Sequence, residues 1–410
     1  MICLAYQFIK QFDFICKEQN RYTQSEYRNN NKRQNNTYGY KMKQGWEIKA
    51  FDDCIEKVKV KTKLPSSSYQ KEGAFPIVSQ EKELISGYWD NEEDVITLST
   101  PATIFGDHTM VVKYIDFDFV VGADGVKILK PKSFLNPKYF YYWVRSADIS
   151  SRGYARHYRY LREKIVSIPS LAEQERIVEI LDREFERIDA LKANAEQNLQ
   201  HAKDLFQSAL KQELQPQDKW IKSTIGETCI LKSGNSNANH SSVGTLPFVK
   251  VGDMNIEGNE ESITCSSTYV SHDENIKGIF PVGSVIFPKR GGAILTNKKR
   301  ITTTDICCDL NIMGVYSKGE IISELLYLYF LGVDLSQIYN GAAIPQINNG
   351  DIAPLHISFP KDVAEQQYIV AKLNKLRLNC KAVEENYTKT MALCDDMKQA
   401  LLRQAFNGEL

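Results

Sequence analysis

Two segments of the chain begin with the same helix-start pattern, and this repeat limits the possible folds more than any other feature. The segments "LAEQERIVEIL" (171–181) and "VAEQQYIVAKL" (363–373) both contain Ala-Glu-Gln, then Ile-Val, then Leu at equal spacing. They lie 192 positions apart in a chain of 410 residues. Self-similarity over such a distance is typical of a duplicated structural unit. The sequence therefore predicts one scaffold that is used twice.

The repeat extends upstream of the two helix starts. A short β-type run and a proline precede each of them, in "IVSIPSLAEQ" (165–174) and "LHISFPKDVAEQ" (355–366). Further back, "PKYFYYWVRSADI" (137–149) aligns with "SELLYLYFLGVDL" (323–335), and both have the pattern of an aromatic amphipathic helix. The framing elements recur while the segments between them differ. We therefore expect two related domains that present two different surfaces.

Each helix-start pattern opens a long helix with its own apolar seam. The apolar residues recur at alternating three- and four-residue spacing over several heptads, interrupted once in each copy by Lys192 and by Thr390. A core helix of a single domain is the alternative, but a helix of over 40 residues is far longer than the mean of about 12. Pairing of the two helices explains both seams at once. The residues predicted to pair are Val178, Leu181, Phe185, Ile188, Leu199, Phe206, Ile369, Leu373, Leu376, Val383, Tyr387 and Leu401.

The predicted fold class is α+β, with two β-rich domains that are each followed by a long α-helix. The order of the segments along the chain favours an antiparallel coiled coil of the two helices with pseudo-two-fold symmetry. Counted to Leu214 and Leu410, the two helices differ by about one turn. The predicted segments are an N-terminal extension that is disordered or a mis-assigned start (1–41), domain one (42–169), helix one (170–215), domain two (216–361) and helix two (362–410).

Composition restricts the partners and the compartment. The chain has 51 Lys and Arg against 51 Asp and Glu, so a nucleic-acid surface must come from local clusters of basic residues. The nine cysteines are scattered without a Cys-x-x-Cys spacing, which favours reduced thiols in the cytoplasm over a disulfide framework or a zinc site. The histidines show no metal-ligand spacing either. The N-terminal apolar stretch is too short and too polar to span a bilayer.

Domain two contains the densest cluster of basic residues. Its members flank a predicted hairpin, so that the two groups face each other and form a localised phosphate-facing surface. A solvated turn is the alternative interpretation. The predicted DNA-binding residues of this domain are Lys289, Arg290, Lys298, Lys299 and Arg300.

Domain one offers two candidate DNA-binding segments. The segment "GDHT" (106–109) is predicted to form a loop, and "RGYARHYRYLR" (152–162) mixes basic residues with tyrosines. Basic residues next to aromatic ones suit phosphate contact and base stacking, although a surface loop with inward-packed tyrosines would look the same. The predicted DNA-binding residues of this domain are His108, Thr109, Arg152, Arg156, His157 and Arg159.

The sequence gives no catalytic or metal-binding motif. The segment "NPKY" (136–139) resembles the Asn-Pro-Pro-Tyr tetrapeptide of adenine-N6 methyltransferases, but Lys138 replaces the second proline and a helix start explains the segment better. Neither a Gly-rich loop for a nucleotide cofactor nor a Walker lysine motif is present. We therefore predict a non-catalytic protein. A coiled-coil protein adaptor without DNA specificity and a self-contained DNA-modifying enzyme are the alternatives.

The arrangement resembles the specificity subunit of type I restriction-modification systems. The resemblance covers Lys43 to Leu410 and is most specific at the two helix entries, Pro169 to Leu181 and Pro360 to Leu373. Further segments that are similar to the family are "FGDHT…VVGADGVKIL" (105–129), "LPFVKVGD" (246–253), "GSVIFPKRGG" (283–292) and "LLRQAFNGEL" (401–410).

This resemblance implies a function and a set of partners. Two target recognition domains would read the two halves of a split site in double-stranded DNA. The two helices would act as a ruler between them and would dock two methyltransferase (modification) subunits. Motor-nuclease (restriction) subunits would complete an adenine-N6 methyltransferase and ATP-dependent endonuclease. S-adenosylmethionine, ATP and Mg²⁺ are then expected in the partner subunits, and no cofactor is expected in this chain.

Overall fold

The computed structural model describes residues 45–149, 153, 155–235, 240–270, 278–341 and 344–410. The chain divides into two compact units. The first unit comprises the chain up to Glu186 together with Met397–Leu410, and the second unit comprises Arg187–Asp396. The predicted N-terminal extension, 1–41, lies outside the described residues. None of the helices within the described ranges carries an apolar stretch that is long enough to cross a membrane.

Helices of very different lengths alternate with the sheets. The helices are α1 (Pro137–Ser146), α2 (Tyr158–Arg162), α3 (Leu171–Glu213), α4 (Ile225–Thr228), α5 (Ser323–Gly332), α6 (Asn349–Ile352) and α7 (Val363–Phe406). The two long helices α3 and α7 have 43 and 44 residues, or roughly 65 Å each at about 1.5 Å per residue. They are therefore nearly equal in length, and the predicted difference of one turn is wrong.

The first unit contains two four-stranded sheets and a separate strand pair. Its strands are β1 (Glu47–Ala50), β2 (Ile55–Glu56), β3 (Phe75–Val78), β4 (Gly87–Trp89), β5 (Val95–Ile96), β6 (Ala102–Gly106), β7 (Val112–Ile115), β8 (Phe119–Val121), β9 (Val126–Pro131) and β10 (Ile165–Ile168). The sheets have the orders β2-β9-β6-β7 and β4-β3-β8-β5, and β1 pairs with β10.

The second unit repeats this plan with two five-stranded sheets and a strand pair. Its strands are β11 (Ile221–Thr224), β12 (Cys229–Ser233), β13 (His240–Ser241), β14 (Leu246–Val249), β15 (Ser262–Ile263), β16 (Thr268–Val270), β17 (Ile279–Phe280), β18 (Val285–Pro288), β19 (Arg300–Thr302), β20 (Ile306–Cys308), β21 (Ile312–Ser317) and β22 (His356–Phe359). The sheets have the orders β12-β21-β18-β19-β15 and β13-β16-β14-β20-β17, and β11 pairs with β22.

The framing elements predicted from the repeat are present in both units. The antiparallel pair β1–β10 corresponds to β11–β22, and in each unit the second strand of the pair leads into a long helix. The aromatic helices α1 and α5 each have ten residues and begin 186 positions apart, at the offset found in the sequence. The side chain of Asn136 accepts hydrogen bonds from the backbone N–H groups of Lys138 (2.9 Å) and Tyr139 (3.1 Å). The segment "NPKY" is therefore a capped helix start.

One buried glutamine performs the same task in each unit. Gln174, fully buried in the first turn of α3, accepts a hydrogen bond from the N–H of Asn136 (2.7 Å). Its amide nitrogen donates to the carbonyl oxygens of Phe134 (3.1 Å) and Pro169 (3.0 Å). The side chain thus ties three backbone segments together: the entry to α1, the end of the strand pair, and the start of α3.

Gln366 makes the corresponding bonds in the second unit. It is also fully buried; it accepts from the N–H of Ile322 (2.9 Å) and donates to the carbonyl oxygens of Glu320 (2.9 Å) and Pro360 (2.8 Å). The glutamine of the repeated Ala-Glu-Gln sequence therefore fixes the aromatic helix and the long helix of each unit in one local geometry. A buried polar group retains such a position only when its donors and acceptor are all used.

Within the first unit, α3 and α7 contribute to one apolar core. Leu181 and Phe185 of α3 belong to the same buried cluster as Leu402 and Ala405 of α7. Arg176, near the start of α3, donates a hydrogen bond of 2.7 Å to the carbonyl oxygen of the C-terminal Leu410. The start of one helix therefore lies beside the end of the other, as an antiparallel pair requires.

Within the second unit, two ion pairs give the same direction. Glu213 at the end of α3 pairs with Lys372 near the start of α7 at 2.7 Å, and Lys192 pairs with Asp395 at 2.7 Å. Residue numbers increase along one helix as they decrease along the other, so the segments are antiparallel. The polar interruption predicted at Lys192 is thus an interhelical ion pair. Thr390, the interruption in α7, instead donates to the carbonyl oxygen of Asn386 in its own helix at 2.9 Å.

The apolar seam differs from the sequence prediction at several positions. Val383 is 40% exposed, and Leu401 is only half-buried while its neighbour Leu402 is fully buried. Six of the positions predicted to pair are buried: Val178, Leu181, Phe185, Ile188, Ile369 and Leu373. Four others are half-buried: Leu199, Phe206, Leu376 and Tyr387.

The end of α7 explains the error in its predicted length. The helix ends at Phe406 because Gly408 adopts a positive φ of 75°. The N–H of Glu409 then donates to the carbonyl oxygen of Gln404 at 2.9 Å, which satisfies one of the last free carbonyls of the helix. The final residues up to Leu410 therefore lie outside the helix.

Candidate nucleic-acid interface

The predicted basic hairpin of the second unit is formed by β18 and β19. These strands pair antiparallel, with Val285 opposite Ile301 and Ile286 opposite Arg300. A 3-10 helix, Gly291–Thr296, lies in the connection between them. The two groups of basic residues therefore flank one connection, as the sequence indicated.

Two lysines of this cluster point into the domain rather than outwards. Lys289 is 8% exposed and its ammonium group donates to the hydroxyl of Ser233 at 2.8 Å. Lys299 is 3% exposed and its ammonium group donates to the side-chain oxygen of Asn297 (2.7 Å) and to the carbonyl oxygen of Val333. Burial lowers the pKa of Lys289 and lowers that of Lys299 to about 8. These ammonium groups satisfy internal acceptors and are not directed towards solvent.

Arg300 has a structural role of the same kind. It is 9% exposed, and its guanidinium donates to the carbonyl oxygens of Lys299 (2.9 Å) and Met254 (3.0 Å). Burial lowers its pKa as well. The structure thus differs from the predicted surface cluster at these three residues, because internal acceptors take up their donors. The acceptors include the hydroxyl of Ser233 and the carbonyl oxygens of Val333, Lys299 and Met254.

Arg290 and Lys298 are the members of the cluster that reach the surface. Arg290 is exposed, and its backbone forms a β-bridge with Gln346, so the loop around 344–348 lies beside it. Lys298 is half-buried and its ammonium group donates to the side chain of Asn255. Contact of these two side chains with DNA stays a prediction.

The second unit also attaches its β-rich part to its own segment of α7. Glu261, directly before β15, forms ion pairs with Arg377 (3.1 Å) and Lys381 (3.5 Å). The guanidinium of Arg377 also lies over the ring of Tyr327 on α5, 5.7 Å from its centre. These contacts join the sheet β12-β21-β18-β19-β15, the aromatic helix and α7. They limit the freedom of the basic hairpin, because β18 and β19 belong to that sheet.

In the first unit, the predicted loop "GDHT" connects β6 and β7 and is held by Gln80. The hydroxyl of Thr109 donates to the carbonyl oxygen of Gln80 at 2.6 Å, and the N–H of His108 donates to its side-chain oxygen at 3.2 Å. Thr109 is exposed and His108 is half-buried. The loop is therefore an ordered turn that leaves Thr109 at the surface.

His157 is an interior residue. It is fully buried, and its backbone N–H donates to the carbonyl oxygen of Asp107 at 2.7 Å. The carboxylate of Asp107 accepts from the N–H of Tyr158 (2.9 Å) and lies 3.5 Å from the ammonium group of Lys127. The predicted loop and the predicted basic-aromatic segment are thus joined through Asp107. His157 thus packs inward, although the alternative interpretation of the sequence had placed only tyrosines there.

Two further predicted DNA-binding residues of that segment reach the surface. Arg156 and Arg159 are exposed, and the guanidinium of Arg159 lies over the ring of Tyr160, 4.6 Å from its centre. Arg152 lies outside the described residues. Arg156, Arg159 and Thr109 therefore stay candidates for DNA contact.

Comparison with known proteins decides the family. The family described as type I restriction modification DNA specificity domain matches twice, at residues 43–201 and 217–390. The chain belongs to this family. Each match covers one β-rich domain and most of the long helix that follows it, so the specificity subunit contains two repeated recognition domains. Family members of this kind are non-catalytic, which agrees with the predicted lack of catalytic residues.

Individual relatives are distant in sequence. This chain is 24% identical over 360 residues to the specificity subunit of the type I restriction enzyme EcoR124I/EcoR124II of Escherichia coli. The aligned region covers 80% of this chain and 86% of that protein. A chain from a structural study of the assembly and conformational transition of the type I restriction-modification system aligns with a TM-score of 0.70 and 16% identity, covering 90% and 100% of the two chains. The HsdS subunit of Thermoanaerobacter tengcongensis aligns with a TM-score of 0.51 and 18% identity, covering 91% and 99%. At these identities the solved structures support the fold.

The buried glutamines of the specificity subunit were missed as functional residues by sequence reasoning. Gln174 and Gln366 occupy the same position of the repeated motif, and this repetition was the sequence signal that could have identified them. A polar residue retained at the first turn of both long helices indicates a shared structural task rather than solvent exposure. The hydrogen bonds that define this task come from backbone segments up to 46 positions away, and the sequence does not place those segments beside the helix.

Proposed function

We propose that the specificity subunit reads a split site in double-stranded DNA, one half with each recognition domain, and docks the methyltransferase subunits on its long helices. The observation that carries this proposal is the duplication: two matches to a DNA specificity domain, each continuing into a helix of more than 40 residues. A single recognition surface would need one domain. Two domains with equivalent frames and different middles suit two different half-sequences.

The segments predicted from the sequence keep their assignment in this proposal. We assign 42–169 and 216–361 as the recognition domains and 170–215 and 362–410 as the spacer helices. The proposed DNA contacts are those residues, among the DNA-binding residues predicted from the sequence, whose side chains reach the surface. They are Thr109, Arg156, Arg159, Arg290 and Lys298, with His108 beside them. Arginine and lysine at such positions position the duplex through phosphates, and Arg290 has the donor geometry to read a guanine edge in the major groove.

The docking of methyltransferase subunits is supported by apolar side chains on the outer faces of the helices. On α7, Tyr368 is 68% exposed, Leu378 is 61% exposed and Val363 is 49% exposed. On α3, Leu205 is 55% exposed. Single exposed apolar residues are common, but several on one pair of helices suit a protein partner that covers them. S-adenosylmethionine, ATP and Mg²⁺ would be bound by the modification and restriction subunits, in the cytoplasm where the host DNA lies.

Genome-wide mapping of N6-methyladenine tests the proposal. In cells that produce this chain and its modification subunit, methylation should appear at one split sequence and should disappear when the chain is omitted. The purified chain alone should transfer no methyl group to DNA. Methylation with the same pattern in the absence of this chain would contradict the recognition role.

A variant of the helix surface tests docking separately. Tyr368→Asp combined with Leu378→Asp should reduce co-purification with the modification subunit, since it places charge on the exposed apolar side chains. Thr388→Asp is the matched control, because Thr388 is an exposed polar residue of the same helix. Equal co-purification of the double variant and the control would exclude this face of α7 as the docking surface.

A further inference from the structure

The segment "KVKVKTK" (57–63) places four lysines on one side of an extended chain in the first unit. Lys57, Lys59, Lys61 and Lys63 are all exposed, and the three residues between them are half-buried. Exposure therefore alternates with a period of two, as it does along a β-strand. We call this row of four side chains the lysine edge.

The alternation has a packing cause. Val58 and Val60 lie against the buried cluster that contains Val78, Ile104 and Phe119. Because consecutive side chains of an extended segment point in opposite directions, this burial turns the lysines towards solvent. The segment is also fixed at both ends: β2 precedes it and pairs with β9, and the N–H of Leu64 donates to the carbonyl oxygen of Val121 at 3.0 Å.

Carboxylates compensate only part of this charge. Lys63 lies 4.0 Å from Asp124, whose side chain is almost fully exposed. Glu56, at the start of the segment, is paired with Lys130 at 2.9 Å rather than with the lysine edge. Among the residues that the structure describes, Lys57 and Lys59 form no ion pair within 4.0 Å. The charges of Lys57 and Lys59 are therefore not paired with a carboxylate among the described residues.

The dimensions of the lysine edge fit a nucleic-acid backbone. Neighbouring lysines are about 6.6 Å apart at a rise of about 3.3 Å per residue, so the four span about 20 Å. One strand of a DNA duplex carries a phosphate per about 3.4 Å of helix axis, which gives about six phosphates over that length. Lysine side chains are long enough to adjust to such a row, and they bind phosphate as point charges without a fixed geometry.

We propose that the lysine edge binds the phosphate backbone of duplex DNA independently of base sequence. The inference rests on the proposed function of the chain as a DNA-reading subunit, and it adds a surface outside the loops predicted to read bases. The aligned segment of the second unit, "KSGNSNA" (232–238), contains one lysine, so the sequence does not repeat the four lysines there. The edge therefore serves the first recognition domain alone.

The salt dependence of DNA binding tests the lysine edge. The complex of this chain with its modification subunits is titrated with a fluorescently labelled 30-base-pair duplex of arbitrary sequence at 50 to 200 mM KCl. The test variant is Lys57→Gln with Lys59→Gln. The loss of two phosphate contacts should reduce the slope of log K against log salt by about 1.8, at about 0.9 per contact. Over this fourfold range of salt, the unaltered complex should then lose affinity by about 12-fold more than the variant.

Two matched variants separate contact from general electrostatics. Lys71→Gln with Lys82→Gln removes the same charge from two other exposed lysines of the first unit and should leave the slope nearly unchanged. Lys57→Arg with Lys59→Arg keeps the charge and should keep the slope. An equal change of slope in the two Gln variants would overturn the inference, since it would show a long-range charge effect only.

Other outcomes are also decisive. If the Lys57 and Lys59 variant loses its modification subunits on size exclusion while its DNA slope is unchanged, the edge is a protein contact and the inference fails. If the unaltered complex does not bind duplex DNA at any of these salt concentrations, the proposed function fails instead. The titrations and the size-exclusion profile together therefore distinguish the two failures.

Discussion

Replacement of Gln366 by methionine is the most direct test of how the second unit is held together. Methionine has nearly the same volume but can neither donate nor accept the three hydrogen bonds of the amide. The N–H of Ile322 and the carbonyl oxygens of Glu320 and Pro360 would lose their partner at 2.9, 2.9 and 2.8 Å. Because Gln366 is fully buried, water does not replace these bonds without a local opening.

The expected cost follows from the number of bonds. Each neutral hydrogen bond contributes about 1 kcal/mol net, and a buried N–H without an acceptor costs about 1–3 kcal/mol. A loss of at least about 3 kcal/mol in the stability of this connection is therefore expected. That free energy corresponds to about a 100-fold change in an opening equilibrium.

Amide hydrogen exchange of the full chain measures this effect where it occurs. The peptide that contains Ile322 should exchange about 100-fold faster in Gln366→Met, whereas a global melting curve would combine two units and is not a two-state observation. Gln367→Met is the matched control, because Gln367 is the adjacent residue and is exposed. Gln174→Met should in turn deprotect Asn136 and leave Ile322 protected. Equal exchange of Ile322 in Gln366→Met and Gln367→Met would refute the role assigned to the buried glutamine.

Three further predictions concern the basic hairpin and the spacer helices. Since burial lowers the pKa of Lys299 to about 8 from 10.5, the unfolded chain binds more protons between these values. Lys299 therefore makes the free energy of unfolding rise with pH in that window, and urea titrations at pH 8 and 10 should show a smaller rise in Lys299→Met than in the unaltered chain. Arg290→Ala should reduce the salt slope of DNA binding by about 0.9, whereas Lys289→Met should change it much less because Lys289 is bonded to Ser233 inside the domain. Insertion of four residues after Ala193, matched by four after Cys394, lengthens both paired segments by about 6 Å and keeps the seam nearly in phase. Mapping of methyladenine should then show unchanged half-sequences and a gap longer by about one to two base pairs. Two-residue insertions should abolish methylation. An active four-residue variant with an unchanged gap would show that these helices do not set the spacing.

Local patterns in the sequence determined the framing elements of this protein. The repeated Ala-Glu-Gln sequence located the starts of α3 and α7, and the aromatic segments after Asn136 and Ile322 located two helices of equal length. These features depend on residues within one or two turns of each other, through helix capping and apolar periodicity. The alternating strands of both domains and the interhelical seam could be predicted for the same reason, although the exact buried positions, such as Leu402 instead of Leu401, could not.

Only the tertiary structure decided which polar side chains are available to a partner. Lys299 and Arg300 look like surface charges in the sequence, but Val333 and Met254 supply carbonyl oxygens to them from 34 and 46 positions away. His157 is buried because Asp107, 50 positions earlier, accepts its hydrogen bonds. The reverse holds for Lys57 and Lys59, which face solvent because Val58 and Val60 pack on a distant cluster. The direction of a charged side chain is set by the nearest buried acceptor or apolar surface, and the chain brings these together only when it folds.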